Sequence, residues 1–519
     1  MSPLNEDVVL GEVTYVLNDG PASHTTKHET KIPVLHKCYL LFISIVISSL
    51  TAAVPFLIDA ANAFQSQNLY IGMMLTKGEF PYSNIFTTQG LLYFGLIALS
   101  YHLGTTLWLV LVHIFCYYLS GVYLYKLVNY FTKEQTVALA MATLYYILSA
   151  ILGMGGLYAM QFATPFVLIS TWFLTKYFAG LVQDEAFVLF GFLGAFSMLL
   201  EPKTLVFWVL ACVTISIYNI VQKHIARGFY QLLGTIFGMN LVFYTAGYFI
   251  LSAQILNPYL TQAVVYPFKH LMIGQFSALT QMLLPLLLAI GFGLLTGLFD
   301  LAYQSRSDED AVIKWFLFAV SFVYLATAIL SPDFQLYHLL PLLPFTLVLL
   351  AIPLARHYEA GLAKISHRRC RGKNGPRRVF FLYFSKHFYM PLLLMLLAVG
   401  WFVYDRTQVI NINQERFHIG AYFKKKLTKD QAIYVWDDSA KIYLESRAKS
   451  VSQFPTPTLN VDTIEHQKLL EDELLENKAV YIIVNKKQTL PKSIKTILKT
   501  KYIPYHAIRT KGFTIYKQK

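Results

Sequence analysis

The chain has 519 residues, 55% of them hydrophobic and only 14% charged, against about 25% charged residues in a soluble globular chain. That balance excludes a soluble enzyme, a disordered chain and a disulfide-built secreted scaffold, and it points to a polytopic membrane protein. The net charge of +14 reads as cytoplasmic loops facing anionic lipid, not as nucleic-acid binding.

Residues 1–37 form a polar cytoplasmic tail, with Lys27, Lys31 and Lys37 close to the first apolar run, Cys38–Ile58. As a helix that run is long enough to cross a core of about 30 Å. No small-residue cleavage site follows it, so it reads as a retained anchor that starts inside and ends outside. Further apolar runs lie at 88–103, 106–127, 134–152, 157–178, 186–200, 203–221, 229–253, 277–303, 313–331, 336–355 and 388–404. The loop Arg356–His387 carries nine Lys/Arg against one Glu, and is the strongest cytoplasmic marker in the chain. The membrane domain is therefore expected over 38–404, with an external loop at 59–90 and the basic internal loop at 356–387.

These assignments conflict in parity. Starting inside, twelve crossings return the chain to the inside, whereas the basic loop sends the tail outside. One segment is re-entrant or one crossing is hidden, and the expectation is 11 to 13 transmembrane helices. The candidates are the run 88–103, the pair 186–221 broken at Glu201-Pro202-Lys203, and the loop 254–276.

From Asp405 the composition changes, to 21 Lys/Arg and 12 Asp/Glu. Ala432–Trp436, Ala479–Val484 and Phe513–Tyr516 read as strands and Leu459–Asn477 as a helix, with turn signals at Pro455, Pro457, Pro491 and Gly512. Residues 405–519 are expected to fold as a small extracytoplasmic α/β domain. The four cysteines, Cys38, Cys116, Cys212 and Cys370, contain no CxxC pair and support neither a zinc site nor a disulfide framework.

The most informative stretch for chemistry is the external loop Asp59–Gly90. Asp59 sits where the first spanning helix leaves the membrane, a costly depth for a carboxylate. Asn62, Gln65 and Gln67-Asn68 follow at spacings that place several polar groups on one side of a helix. An interfacial helix with a solvated face has the same pattern. An acidic residue at the outer end of an apolar helix is followed by an amphipathic helix ending Lys77-Gly78-x-x-Pro81-Tyr82, and then by Leu91-Leu92-Tyr93. In this order, and with Tyr70, the loop resembles the membrane glycosyltransferases of the GT-C class, of protein mannosyltransferase or aminoarabinose transferase type. The resemblance recurs at Ser331–Leu343 and in the α/β tail with its closing strand.

The resemblance implies an all-α membrane bundle that takes a sugar from a polyprenyl-phosphate carrier and transfers it, with inversion, to an envelope glycan, lipid or protein outside the cytoplasm. It makes Asp59 the catalytic base or acceptor contact. Asn62, Gln65, Tyr82 and Gln89 of the same loop are expected in substrate binding, with Tyr158 from the segment after Gly153–Gly156. Candidates to stabilise the leaving phosphate are Lys77, Lys203, Lys269, His270 and His338, with Tyr337 beside the last. Lys77 can equally be a snorkelling anchor, and Glu201-Pro202-Lys203 a water-exposed turn. The chain departs from the family pattern in having Ala60 directly after Asp59, and Thr87-Thr88-Gln89-Gly90 before the second helix. The residues name no cofactor, and a divalent metal has no ligand set to support it. There is no Walker A motif, no DxD motif in a soluble domain and no HExxH. The alternative functions are a transporter or flippase of lipid-linked sugars, and a non-catalytic envelope-assembly protein.

Overall fold

A computed structural model describes residues 31–272, 279–304, 310–333, 335–366, 375–428 and 431–519. Most of the N-terminal tail, including Lys27, and the centre of the basic loop, including Cys370, lie outside the described residues.

The helices are α1 (Val34–Ser48), α2 (Ala63–Leu75), α3 (Leu91–His102), α4 (Leu107–Thr132), α5 (Gln135–Leu152), α6 (Ala159–Phe178), α7 (Phe187–Leu200), α8 (Leu205–Val221) and α9 (Ile225–Ser252). A strap follows, made of α10 (Leu256–Tyr259), a π-helical turn (Leu260–Val265) and α11 (Tyr266–Lys269). Beyond it are α12 (Leu279–Gly291), α13 (Thr296–Gln304), α14 (Ala311–Ile329), α15 (Leu343–Ser366), α16 (Pro376–Lys386) and α17 (Met390–Lys426). Among the described residues, α4, α5, Pro202–Val221, α9, α14 and α17 are each long and apolar enough to cross a membrane, and α12 with α13 qualify together despite a 77° bend. The chain is a multi-pass membrane protein.

Two expected spans begin or end differently. The first run does not continue as one helix to Ile58. It stops at Ser48, turns, and resumes as a 3-10 helix at Pro55–Ala60; Val54, directly before Pro55, is extended, as a residue preceding proline tends to be. The run from Leu336 forms a 3-10 turn at Leu336–Leu339, and the α-helix starts only at Leu343, past Pro341. In the strap, Pro267 has no N–H to offer the carbonyl four residues earlier, which fits the widened π-turn before it.

Helices α7 and α9 approach more closely than any side chain at the crossing would allow. A Cβ on Gly191 would lie 1.9 Å from the Thr235 carbonyl oxygen, and one on Gly238 would lie 1.9 Å from that of Val188. Gly191→Leu is expected to force the pair apart, at a cost of about 1–3 kcal/mol or more. A lowered unfolding temperature in detergent would show it, and an unchanged one would refute this close packing.

The C-terminal unit has five strands: β1 (Ala432–Trp436), β2 (Lys449–Ser450), β3 (Tyr481–Asn485), β4 (Tyr502–Pro504) and β5 (Phe513–Gln518). It also holds α18 (Lys441–Ser446), α19 (Ile464–Glu476) and α20 (Lys492–Lys501). The sheet order is β2-β1-β3-β5-β4, with β2, β1 and β3 parallel and β5 antiparallel to both neighbours. Alternation along the strands sorts the two faces. Ile433, Val435, Ile483 and Ile515 join Ile419 and Phe423 of α17 and Tyr443 of α18, in one core continuous with the bundle. Tyr434, Trp436, Ile482 and Val484 face Leu470 and Leu474 of α19 and Ile494, Ile497 and Leu498 of α20.

The expected strands and the helix of this unit are all present. β2, β4 and α20 are additional, and α17 runs unbroken through Asp405 into the tail. Its far end is locked to the sheet by a buried ion pair. Arg416 donates from Nε to Asp437 Oδ2 at 2.7 Å and from Nη2 to Asp437 Oδ1 at 2.8 Å, and Asn485 Nδ2 adds a third bond to this carboxylate at 2.7 Å.

Candidate active site

At one end of the bundle, a cavity of about 210 Å³ opens between the helix ends, the strap and the C-terminal unit. Five local structures build it. The first is the loop before α3: Tyr82 is buried and donates its hydroxyl to the Gln89 carbonyl at 2.6 Å, which presents Thr88 and Gln89 to the cavity. The second is the loop before α6. Asn62 caps α2 and shares a capping box with Gln65, whose Nε2 donates to the carbonyls of Met154 and Gly156 at 2.8 and 2.7 Å. Between those carbonyls Gly155 is left-handed (φ +85), with the Gln65 amide where a Cβ would stand. This buttress sets Tyr158, whose hydroxyl accepts from Asn62 Nδ2 at 3.0 Å.

The third is the break between α7 and α8. Pro202 interrupts the helix, the Glu201 carboxylate accepts from the Lys203 N–H at 3.3 Å, and the Tyr324 hydroxyl donates to the Lys203 carbonyl at 3.3 Å. Burial pushes the Glu201 carboxyl above its ordinary value, against the pull of Lys203. The Lys203 ammonium has no hydrogen-bond partner among the described residues and lines the cavity. The fourth lies between α14 and α15. His338 Nε2 stands 3.1 Å from Asp333 Oδ1, and Ser331 Oγ donates to that oxygen at 3.0 Å. Burial would raise the Asp333 carboxyl, but the bonds and charge of His338, the Ser331 hydroxyl and the Lys203 charge outweigh it and hold it down at about 2.

The fifth is a roof. From the strap come Tyr266 and His270, and from the C-terminal unit Thr458–Asn460 and Asp462. The Tyr266 ring stacks on that of His466 at 5.1 Å and 10°, and Phe86 packs against both. Burial, then the charge of Asp333 across the cavity, raises the Asp462 carboxyl. One wall is aromatic: Tyr337 stacks on Tyr158 at 4.8 Å and on Phe64 at 5.1 Å.

Of the residues singled out from sequence, Gln89, Tyr158, Lys203, His270, Tyr337 and His338 line this cavity. Asn62, Gln65 and Tyr82 stand behind it and hold its loops. Lys269 is exposed on the strap. Lys77 is exposed and its ammonium donates to the Arg447 carbonyl of the C-terminal unit; burial, then the Arg447 charge, lowers its pKa. Asp59 is exposed and does not line the cavity. Its backbone carbonyl accepts from Lys441 Nζ at 2.7 Å, Asn413 Nδ2 at 3.1 Å and Arg406 Nη1 at 3.3 Å, which ties the 3-10 helix after α1 to α17 and α18. Burial, then the charges of Arg416 and Arg406, lowers the Lys441 ammonium to about 7. Phe64, Tyr266, Asn460 and Asp462 also line the cavity and carry no sequence signal. No group of three or more His, Cys, Asp or Glu is arranged to hold a metal ion among the described residues.

Comparison with known proteins gives two kinds of result. The family model for the N-terminal domain of the competence-induced protein Ccs4 matches residues 25–410, and the model for the Ccs4 C-terminal domain matches residues 413–519. No curated protein sequence matches. Among solved structures the chain is similar to ArnT from Cupriavidus metallidurans in the apo state, with a TM-score of 0.53 at 11% identity over 93% of this chain and 97% of that one. It is similar to the same protein bound to undecaprenyl phosphate, with a TM-score of 0.53 at 10% identity and the same coverage. At that identity the likeness is one of fold.

Proposed function

The chain belongs to the competence-induced Ccs4 family, and from that premise and the chemistry of the cavity we propose that it transfers a sugar from a polyprenyl-phosphate carrier to a hydroxyl acceptor outside the cytoplasm. The carrying observation is the cavity itself. It places an unpaired lysine, a histidine–aspartate pair and an aromatic wall together at the helix ends, beneath a roof supplied by the C-terminal unit. The ArnT-like fold supports the reading, and so does the undecaprenyl phosphate bound by that protein.

Lys203 takes the carrier phosphate, whose charge grows as the sugar C1–O bond breaks and the phosphate leaves with the electron pair. The stacked rings of Tyr158 and Tyr337 receive the sugar face. His338 takes the proton of the acceptor hydroxyl as its oxygen bonds to C1, and Asp333 holds the imidazole by its other nitrogen. Asp59 is outside the lining, so the base is assigned to His338.

The topology that fits has eleven crossings: α1, α4 to α9, the bent α12–α13 pair, α14, α15 and α17. Helix α3 has twelve residues, about 18 Å of rise against a core of about 30 Å, and is shorter than α1 and α7, which have fifteen and fourteen. It stays on the cavity side, because α4 also begins there, with His113 bonded to Ser48 at the end of α1. Removing the run 88–103 from the crossings restores an odd number. The described ends of the basic loop pack on the bend between α12 and α13, where Tyr383 bonds the Phe292 carbonyl and His387 bonds Thr296; with that basic loop inside, the crossing by α17 carries the tail to the other side. That leaves the cavity and the C-terminal unit outside.

The test is transfer of a radiolabelled sugar from a polyprenyl-phosphate sugar by the purified protein in membrane-mimetic discs. The parent is expected to transfer, Asp59→Asn to transfer at the parent rate, and Lys203→Gln to lose most of the activity. A parent that moves the intact lipid-linked sugar between leaflets without cleaving it would instead be a flippase.

A further inference from the structure

The last 43 residues, Asn477–Lys519, contain ten lysines and one arginine, and no aspartate or glutamate. All eleven cations are exposed. None is ion-paired with a carboxylate among the described residues. Several instead give their protons to backbone carbonyls: Lys486 to Lys511 at 2.8 Å, Lys501 to Leu475 at 3.1 Å, and Lys519 to Thr500 at 2.7 Å. So many like charges without partners repel one another and weaken the compact state.

The fold gathers several of these charges on the α20 side of the domain, whereas Lys517 follows Phe513 and Ile515 onto the side that α17 covers. Ile494, Ile497 and Leu498 bury one face of α20 against the sheet, and Lys492, Lys495 and Lys499 occupy the opposite face at helical spacing. Lys519, bonded to the last turn of α20, and Lys501 extend the same patch. Lys486, Lys487 and Lys511 continue the positive surface at the turn beyond β3, where Lys486 N–H bonds the Gly512 carbonyl.

The domain meets the membrane part through β2, where Lys449 pairs with Glu79 at 2.6 Å and the Ser450 N–H bonds Tyr70 at 2.9 Å, and through α19, where His466 stacks on Tyr266 of the strap. Lys492, Lys495 and Lys499 make none of these contacts among the described residues. The segment after β4 packs at the far end of α17, with the Tyr505 and Tyr422 hydroxyls 2.7 Å apart. Tyr422 stands eighteen residues beyond Tyr404 along that helix, about 27 Å of rise, whereas lipid surface charge is screened within about 8 Å. The partner is therefore a polyanion in water, not a lipid surface. Lysines outnumber arginine ten to one, and α20 carries no aromatic residue. The face thus lacks the planar forks and stacking rings that read bases. It offers point charges to a backbone.

We propose that this face binds the acceptor, a flexible glycan or polyol polymer linked by phosphate diesters, and delivers its hydroxyl-bearing units to the cavity. The inference deepens the transfer reading and rests on it. The route is short in the fold: α20 packs beside α19, and the loop before α19 supplies Asn460 and Asp462 to the cavity roof.

The test uses the full chain in discs of neutral lipid, with fluorescent poly(glycerol phosphate), a neutral dextran and a single-stranded DNA of equal charge as probes. The parent is expected to bind poly(glycerol phosphate), with an affinity that falls steeply as salt rises, and to ignore dextran. The variant K492Q/K495Q/K499Q/K501Q is expected to bind roughly tenfold or more weakly, with a flatter salt dependence. Equal binding by the four-lysine variant and the parent overturns the proposal. So does tighter binding of the DNA, or binding only to discs made with anionic lipid. Polymer binding without sugar transfer in the parent sinks the transfer reading alone. Transfer to a small acceptor without polymer binding sinks this face alone.

Discussion

Replacing His338 by glutamine is expected to lower sugar transfer roughly 10²- to 10⁴-fold, the range that a positioned general base supplies. The imidazole is fixed by Asp333 at 3.1 Å and by Ser331 at 3.2 Å, so its second nitrogen is free to take the acceptor proton. Asp333→Asn keeps the shape but removes the charge that orients the ring and stabilises it once protonated. The two variants should each cost nearly as much as the double variant, because groups that act as a unit are not additive. Burial lowers the His338 imidazole below its ordinary value and Asp333 is held down at about 2, so a fall in transfer on acidification that sets in below the ordinary histidine range reports the histidine and not the aspartate. By linkage, the stability that the low Asp333 pKa contributes is present above the unfolded carboxyl value and fades only as pH falls towards 2. Transfer rates of both single variants, read beside their unfolding temperatures, decide the matter. Parent-like rates in both would remove this pair from the mechanism.

The second large effect is on stability. Asp437→Ala is expected to cost about 3–5 kcal/mol, the penalty for stranding one partner of a buried ion pair. Arg416 and Asp437 are both buried and joined by two hydrogen bonds, and Asn485 loses its acceptor as well. The pair sits where α17 meets the ends of β1 and β3, so its loss loosens the sheet from its stalk and withdraws Asn460 and Asp462 from the cavity roof. The double variant Arg416→Met/Asp437→Leu should be more stable than Asp437→Ala, since an apolar pair leaves no charge unpaired. Asp438, whose side chain is half exposed beside the same arginine, should matter far less. Thermal unfolding combined with protease sensitivity after α17 checks this. An Asp437→Ala protein as resistant as the parent would show that the pair does not anchor the domain.

Periodicity and composition located most of the elements. Apolar runs marked the membrane helices, because lipid leaves helices as the natural way to satisfy every backbone group. Short β-rich runs marked β1, β3 and β5, because alternation and turn residues are local properties. The misreadings were local too. The first apolar run broke after Ser48, and Pro341 moved the start of α15 by several residues. Expectations for the site divided differently. Gln89, Tyr158, Lys203, His270, Tyr337 and His338 share one cavity, while Asp59 is tied to α17 and α18 through its backbone. Asn62, Gln65 and Tyr82 turned out to stand behind the wall rather than in it.

The sequence by itself determined that this chain lives in a membrane, roughly where its helices lie, and that its tail folds as a small α/β unit. Each of these follows from hydrophobicity and spacing within a window of neighbouring residues. Only the tertiary structure decided which polar groups meet. Lys203, Asp333 and Asp462 come from three distant parts of the chain. What brings them together is the packing of helix ends under a roof hung from α17, and no local pattern encodes that meeting.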